Sequence, residues 1–188
     1  MVLKDLGIEK AFFEVKFDRR ELTGKERAHV MIDKKLYDAS SRGIDFAEFY
    51  VSMNEGEELK PLIKVASGGE ISRIMLSLKT ILAKSDRLPG LAFDEIDVGV
   101  SGRIAKKVGQ CLKNLANYHQ IIAITHLPQI AGLADSHFVV EKRNDKQRVS
   151  SNIRKLTPEE RIKEIAKLIS GENITDSAIA GAKELMGL

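Results

Sequence analysis

The sequence predicts an α/β fold: a mostly parallel sheet with flanking helices, joined to an antiparallel, strand-rich N-terminal portion. Three observations predict it. Short apolar runs at residues 91–93 and 121–125 flank a stretch with helical apolar spacing, and strand, helix, strand in that order makes a parallel pair. Residues 11–17 and 46–53 are aromatic and β-branched with partial alternation, which suits half-buried strands paired antiparallel. Finally, 188 residues with 43% hydrophobic content are enough for a core, and the chain reads as one domain over 1–188, divided into 1–58 and 59–188.

In chain order, the polar stretch 19–45 has only a weak strand signal at 29–32 and reads as a loop or hairpin excursion. Asn54-Glu55-Gly56-Glu57 is a turn, and Pro61 biases Lys60 toward extended backbone, so the chain should approach residue 67 as an extended stretch. From Ser67, a natural N-cap, Ile71, Ile74, Met75, Leu78, Ile81 and Leu82 recur at three- and four-residue spacing, predicting a helix that stops near Pro89-Gly90. Ile104, Val108, Cys111, Leu112 and Leu115 mark a second helix over 101–118. Strands are expected at 137–141 and 149–156 around the polar turn Arg143-Asn144-Asp145-Lys146. Thr157-Pro158-Glu159-Glu160 carries an N-cap, an N1 proline and a capping-box glutamate for a helix ended by Gly171, and a last helix covers 175–186.

A net charge of +3, from 30 basic and 27 acidic residues, is too balanced to argue for nucleic-acid binding by electrostatics alone. The single cysteine, Cys111, cannot form an internal disulfide and sits among apolar helix positions, which suits a small buried hydrophobe and a reducing cytoplasm. No long apolar leader and no stretch of about 18 apolar residues is present, so neither secretion nor membrane insertion is supported.

Three motifs carry chemistry. Ala66-Ser67-Gly68-Gly69-Glu70 opens a helix and can turn backbone N–H groups and the positive helix end toward a phosphate. Leu91-Ala92-Phe93-Asp94-Glu95 is an apolar strand ending in paired carboxylates, suited to holding Mg²⁺ and positioning an attacking water. The run Ile121 to Thr125 delivers His126 to the end of a second strand. Singly, a capped helix, a strand-end carboxylate and a strand-end histidine are ordinary structural features. Their expected arrival at one C-terminal sheet edge, where α/β folds bind ligands, reads as three parts of one ATP-hydrolysing site. The phosphate loop of such a site is missing: no Gly-x-x-x-x-Gly-Lys-Ser/Thr occurs, and the only Gly-Lys pair, Gly24-Lys25, has Arg19 and Glu26 at the flanking positions.

The stretch from Lys60 through Ala66-Ser67-Gly68-Gly69-Glu70-Ile71-Ser72-Arg73 to Lys79 resembles the signature region of the RecN family, SMC-like members of the ABC ATPases. Phe93-Asp94-Glu95-Ile96-Asp97-Val98-Gly99-Val100-Ser101-Gly102 resembles that family's Walker B and D-loop, and Ile124-Thr125-His126-Leu127-Pro128-Gln129 its histidine switch. The resemblance implies the C-terminal portion of an ABC/SMC-type P-loop NTPase head, with 1–58 following a coiled coil and Walker A in an upstream segment. It implies that Asp94 helps hold Mg²⁺, that Glu95 orients or deprotonates the attacking water, and that His126 senses the γ-phosphate of ATP. Ser67, Gly68, Gly69 and Glu70 would contact ATP held by a second head, so that ATP joins a homodimer and hydrolysis releases it. Either Asp97 or Ser101 makes the cross-head D-loop contact. The implied role is DNA double-strand break repair, in the cytoplasm and at the nucleoid, with DNA as a partner.

Two other readings remain open, a non-catalytic half-head that docks on another ATPase and a fragment of another SMC- or RecF-like head. Arg73, Lys79, Arg103, Lys106 and Lys107 read as solvated helix faces. His29, His119 and His137 lack metal-ligand spacing with Cys111, and Gly99-Val100-Ser101-Gly102-Arg103 fails the Gly-x-Ser-x-Gly nucleophile pattern at its last position.

Overall fold

The computed structural model describes residues 2–8, 10–23, 28–65, 68–85, 88–145 and 148–188. In chain order the elements are α1 (Val2–Asp5), β1 (Phe12–Asp18), β2 (Glu21–Leu22), β3 (His29–Ile32), β4 (Lys35–Asp38), β5 (Phe46–Ser52), β6 (Lys60–Pro61), α2 (Leu62–Val65), α3 (Gly68–Leu82), β7 (Gly90–Phe93), α4 (Gly102–Leu115), β8 (Gln120–Ala123), α5 (Pro128–Ala131), β9 (Phe138–Asp145), β10 (Arg148–Lys155), α6 (Pro158–Ser170) and α7 (Asp176–Met186). They form two compact units, 10–66 and 1–9 with 67–188, whereas the sequence suggested one domain divided after residue 58.

In the 10–66 unit, β1 and β5 pair antiparallel from Phe12↔Ser52 to Asp18↔Phe46, with β6 beside β5. Phe13 and Phe49 rings meet at 5.3 Å between centroids. The polar stretch 19–45 is more ordered than its composition suggests, because β2, β4 and β3 form a second antiparallel sheet. Asp33 and Lys34 make this possible: both have positive φ, 49° and 65°, the conformation of a two-residue hairpin turn whose twist matches that of its strands. The Arg19 Nε to Asp45 Oδ1 bond, 2.6 Å, closes the ends of the excursion. The expected extended approach to residue 67 is corrected. Pro61 ends β6, and residues 62–65 immediately form α2, since proline constrains the residue before it and leaves those after it free to turn helical.

In the other unit, β7 and β8 are parallel and in register from Gly90↔Gln120 to Phe93↔Ala123. One face of this pair, with Leu91, Phe93, Ile121 and Ala123, packs on a core built from Leu6, Leu76, Ile96, Val108, Leu112, Leu115 and Ile130. Cys111 packs against that core, and Thr80 Oγ1 lies 3.2 Å from its sulfur; burial pushes the thiol pKa up, as for an unreactive core thiol. A second cluster joins α5, α6 and α7 through Ala131, Ile165, Ala166, Ala178 and Ala182. The capping box at α6 is formed in both directions: Glu160 N–H donates to Thr157 Oγ1 at 3.2 Å and Thr157 N–H to Glu160 Oε2 at 2.8 Å.

The helix expected over 101–118 ends at Leu115, and three further boundaries move with a visible cause. Helix α3 ends at Leu82 rather than near residue 89, because Ser85 turns back and gives both its N–H and its hydroxyl to the Leu82 carbonyl. Strand β8 ends at Ala123, two residues early, because Thr125 and the N–H of His126 are taken by a carboxylate. The β9–β10 ladder runs to Asp145↔Arg148, so Arg143, Asn144 and Asp145 lie in a strand rather than a turn.

Candidate functional site

The site is assembled around the loop that leaves β7. Parallel pairing places the C-terminal ends of β7 and β8 side by side, and Ile124 N–H continues the ladder by donating to Phe93 O at 3.0 Å. Asp94 and Glu95 follow one strand end and His126 the other, and all three are exposed. Asp94 Oδ1 accepts the Glu95 N–H at 2.9 Å. Glu95 has φ 57°, a left-handed conformation that is strained for a residue with a Cβ and concentrates at functional sites.

Helix α3 enters by its N-terminus. Its two glycines permit the approach: a Cβ on Gly68 would lie 1.8 Å from Glu95 Oε2, and one on Gly69 would lie 2.9 Å from Val98 O and 3.0 Å from Glu95 O. The helix is tied to the loop from above as well, since Ser72 Oγ donates to Asp94 O at 2.7 Å and Arg73 Nη1 to Val98 O at 2.8 Å. Gly68, Gly69, Asp94 and Glu95 are therefore neighbours in one unit. Ser67 lies outside the described residues, as does the expected N-cap it would provide. Glu70 is the third residue of α3.

The loop's far end meets the residues that follow β8. Asp97, 5% exposed, accepts Thr125 Oγ1–H at 2.6 Å and His126 N–H at 2.9 Å on Oδ2, and His126 Nδ1 lies 3.1 Å from the same oxygen. Ser101 is exposed and begins α4 without a side-chain capping bond. Asp97 and Ser101, weighed as equivalent candidates from the sequence, thus occupy different environments.

Arg73 is a correction. It reads as a solvated helix cation, yet it is only 6% exposed, because Gly69, Arg73, Leu76 and Ser77 define the face of α3 that turns inward. Burial pulls its pKa below the ordinary value, with Glu70 opposing. Its spacing of four from Gly69 was the available signal, since a glycine marking a close approach also marks the buried face. Thr125 and Ser72 were also unassigned, and only the fold brings them to Asp97 and Asp94.

No protein-family model matches the chain. Among solved structures, the Smc head domain with a coiled coil and joint from Pyrococcus yayanosii matches 90% of this chain and 28% of its own at TM-score 0.57 and 21% identity. The Pyrococcus furiosus Smc head domain with an extended coiled coil, bound to the C-terminal domain of ScpA, matches 90% of this chain and 36% of its own at TM-score 0.51 and 20% identity. The fold is thus that of part of an SMC-type ATPase head. In sequence the chain is 42% identical over 186 residues to the DNA repair protein RecN of Halalkalibacterium halodurans, covering 99% of this chain and 31% of that protein. It is 38% identical to RecN of Bacillus subtilis, covering 98% of this chain and 32% of that protein. The chain is RecN-like along nearly its whole length and spans about a third of the length of these relatives.

Proposed function

We propose that this chain is the C-terminal part of a RecN-like ATPase head acting in DNA repair, the process for which its relatives are named. In this reading it supplies the signature turn, Walker B and the switch histidine, while Walker A comes from an upstream segment. The observation that carries it is the convergence of Gly68 and Gly69, Asp94 and Glu95, and His126 on one loop at the C-terminal end of a parallel strand pair.

The division of labour follows from the residues. Asp94 offers an exposed carboxylate oxygen set of the kind Mg²⁺ accepts, since that ion uses one or two protein carboxylates and completes its shell with water and phosphate oxygens. When bound there, Mg²⁺ would neutralise charge on the phosphate oxygens of ATP. Glu95, exposed and with its carboxylate beside Gly68 at the start of α3, orients the attacking water and takes its proton. The N-terminus of α3, with Gly68, Gly69 and Glu70, offers backbone donors and a positive helix end to the γ-phosphate of ATP held by a second head, and Ser67 precedes it in the sequence. Loss of that phosphate removes the contact, so hydrolysis would separate a homodimer.

The uncovered side of the sheet supports an upstream segment. Parallel strands are normally covered on both faces, yet Ala92, Ile122 and Ile124 are exposed opposite the packed face. In α3, Ile71, Met75 and Leu82 share a stripe away from the buried side, and Ile71 and Met75 line a groove of about 240 Å³ with Leu91 and Phe93. These surfaces suit the rest of a head. DNA enters as a partner through the relatives' role alone.

In the complete protein, Glu95→Gln is expected to keep ATP binding and lower turnover by at least about a hundredfold, leaving heads paired. Equilibrium nucleotide binding and steady-state hydrolysis check this. Hydrolysis at the unaltered rate would take Glu95 out of the mechanism.

A further inference from the structure

The D-loop offers two residues for a contact with a second head, and their surroundings separate them. The Asp97 side chain is 4% exposed and turned into its own unit. Both of its described hydrogen bonds converge on Oδ2, from the Thr125 hydroxyl at 2.6 Å and the His126 N–H at 2.9 Å, and His126 Nδ1 lies within ion-pair distance of the same oxygen at 3.1 Å. Thr125 Oγ1 in turn accepts the Leu127 N–H at 3.0 Å, so the turn that presents His126 is bonded on both sides of the histidine. The His126 side chain is 71% exposed, with Nδ1 the ring nitrogen that lies next to the buried carboxylate. The loop bearing Asp97 is itself held by Ser72 and Arg73 of the signature helix and by the Val98 N–H to Glu95 O bond, 3.1 Å.

We propose that Asp97 is a positioning residue for His126 and not a cross-head contact. Its Oδ2 keeps the imidazole proton on Nδ1 and turns Nε2 toward the site, leaving Ser101 as the D-loop side chain that meets a second head. A ring nitrogen facing a carboxylate carries the proton, and that choice settles which nitrogen is presented to a ligand. An acid that orients a histidine from behind acts on the rate through the histidine alone. Ser101 is exposed and spends no side-chain bond on the helix it begins, as a residue reserved for another surface should be. The contacts also join the signature helix to the switch through one loop: Ser72 and Arg73 hold its two ends, and Asp97 between them holds His126. This inference rests on reading His126 as the γ-phosphate sensor.

The test uses the complete protein with Asp97→Ala, Asp97→Asn, His126→Ala and the double variant Asp97→Ala/His126→Ala. Asp97→Ala is expected to lower kcat for ATP hydrolysis about tenfold with KM for ATP within about twofold. Asp97→Asn should recover to within about threefold of the original, because an amide oxygen in the place of Oδ2 can still accept from the Thr125 hydroxyl and the His126 N–H. The double variant should be no slower than His126→Ala. Losses that multiply in the double variant, an Asn variant as slow as the Ala variant, or an unaltered Asp97→Ala enzyme would each overturn the proposal. A second readout does not depend on turnover. In ¹⁵N-histidine spectra, with His126 assigned by its loss in His126→Ala, the original should show one tautomer protonated on Nδ1, and Asp97→Ala a mixture. An unchanged His126 signal in Asp97→Ala overturns the positioning role. Full activity of His126→Ala instead removes the sensor role of the histidine, while the spectra still decide whether Asp97 holds the ring.

Discussion

Gly68 and Gly69 are adjacent, but their neighbours make them unequal. Gly69 faces main chain, Val98 O and Glu95 O, neither of which can swing aside without moving the loop that carries the carboxylates. Gly69→Ala is therefore expected to cost about 1–3 kcal/mol, read as a lower urea midpoint at constant slope. Gly68→Ala should cost less, because its close neighbour is the end of the Glu95 side chain, which can rotate away. His137 has its own consequence at this scale. Burial, with the Arg161 charge nearby, lowers its pKa from the ordinary 6.5, and Glu164 opposes. The unfolded chain then binds more protons than the folded one below that value, so stability rises with pH through this window. The contribution is full above about pH 6.5 and is lost as pH falls toward the depressed folded value. His137→Phe is expected to flatten the slope of urea-derived stability against pH just below about 6.5. An unchanged slope would assign that pH dependence to other groups.

Elements differ in how much of their stability is local. Helix α6 closes its own N-terminus within four residues, and Arg154 adds a 2.7 Å bond to the capping glutamate. Thr157→Ala removes one partner of that box and is expected to cost about 1 kcal/mol, measured by chemical denaturation. A variant within about 0.2 kcal/mol of the original would mean that packing in the α5–α6–α7 cluster holds the helix without its cap. Helix α3 is the opposite case. Its inward face carries Gly69, Arg73 and Ser77, and part of its apolar stripe is left outside, so its position is set by the loop it grips. The β3–β4 hairpin lies between, since a two-residue turn with both φ values positive selects its register without help from a large core.

For the whole molecule, the dominant feature is a two-stranded parallel sheet packed on one side only. Two strands are too few to be stable alone, and exposed apolar faces of this kind commonly mark interaction surfaces. The Ile122→Gln/Ile124→Gln variant of this chain is expected to lower binding of an apolar dye by about half or more with an unchanged far-ultraviolet spectrum. Introduced into the complete protein, the same pair should weaken the head, because there the face would be covered. Equal stability of the complete protein with and without the substitutions would argue against an upstream segment seated on this face.

The sequence by itself determined whatever depends on neighbours a few residues apart. The capping box of α6, the apolar runs of β7 and β8, the helix between them and the order of the three motifs were all legible, because periodicity, caps and strand ends are short-range physics. Its resemblance to RecN also points to Gly68, Gly69, Asp94, Glu95 and His126. Only the tertiary structure decided which of these side chains meet. Asp97 and His126 are 29 positions apart and Arg73 and Val98 25 apart, and nothing local says that a carboxylate will be buried against a histidine or a guanidinium against a carbonyl. The sheet within 19–45 was hidden for a related reason. Its strands are only two to four residues long, and its turn uses Asp33 and Lys34 in place of the glycine or asparagine that would have announced it. Burial and pairing over such distances are properties of the folded chain, because closing the loop between two residues is repaid only when the whole core forms.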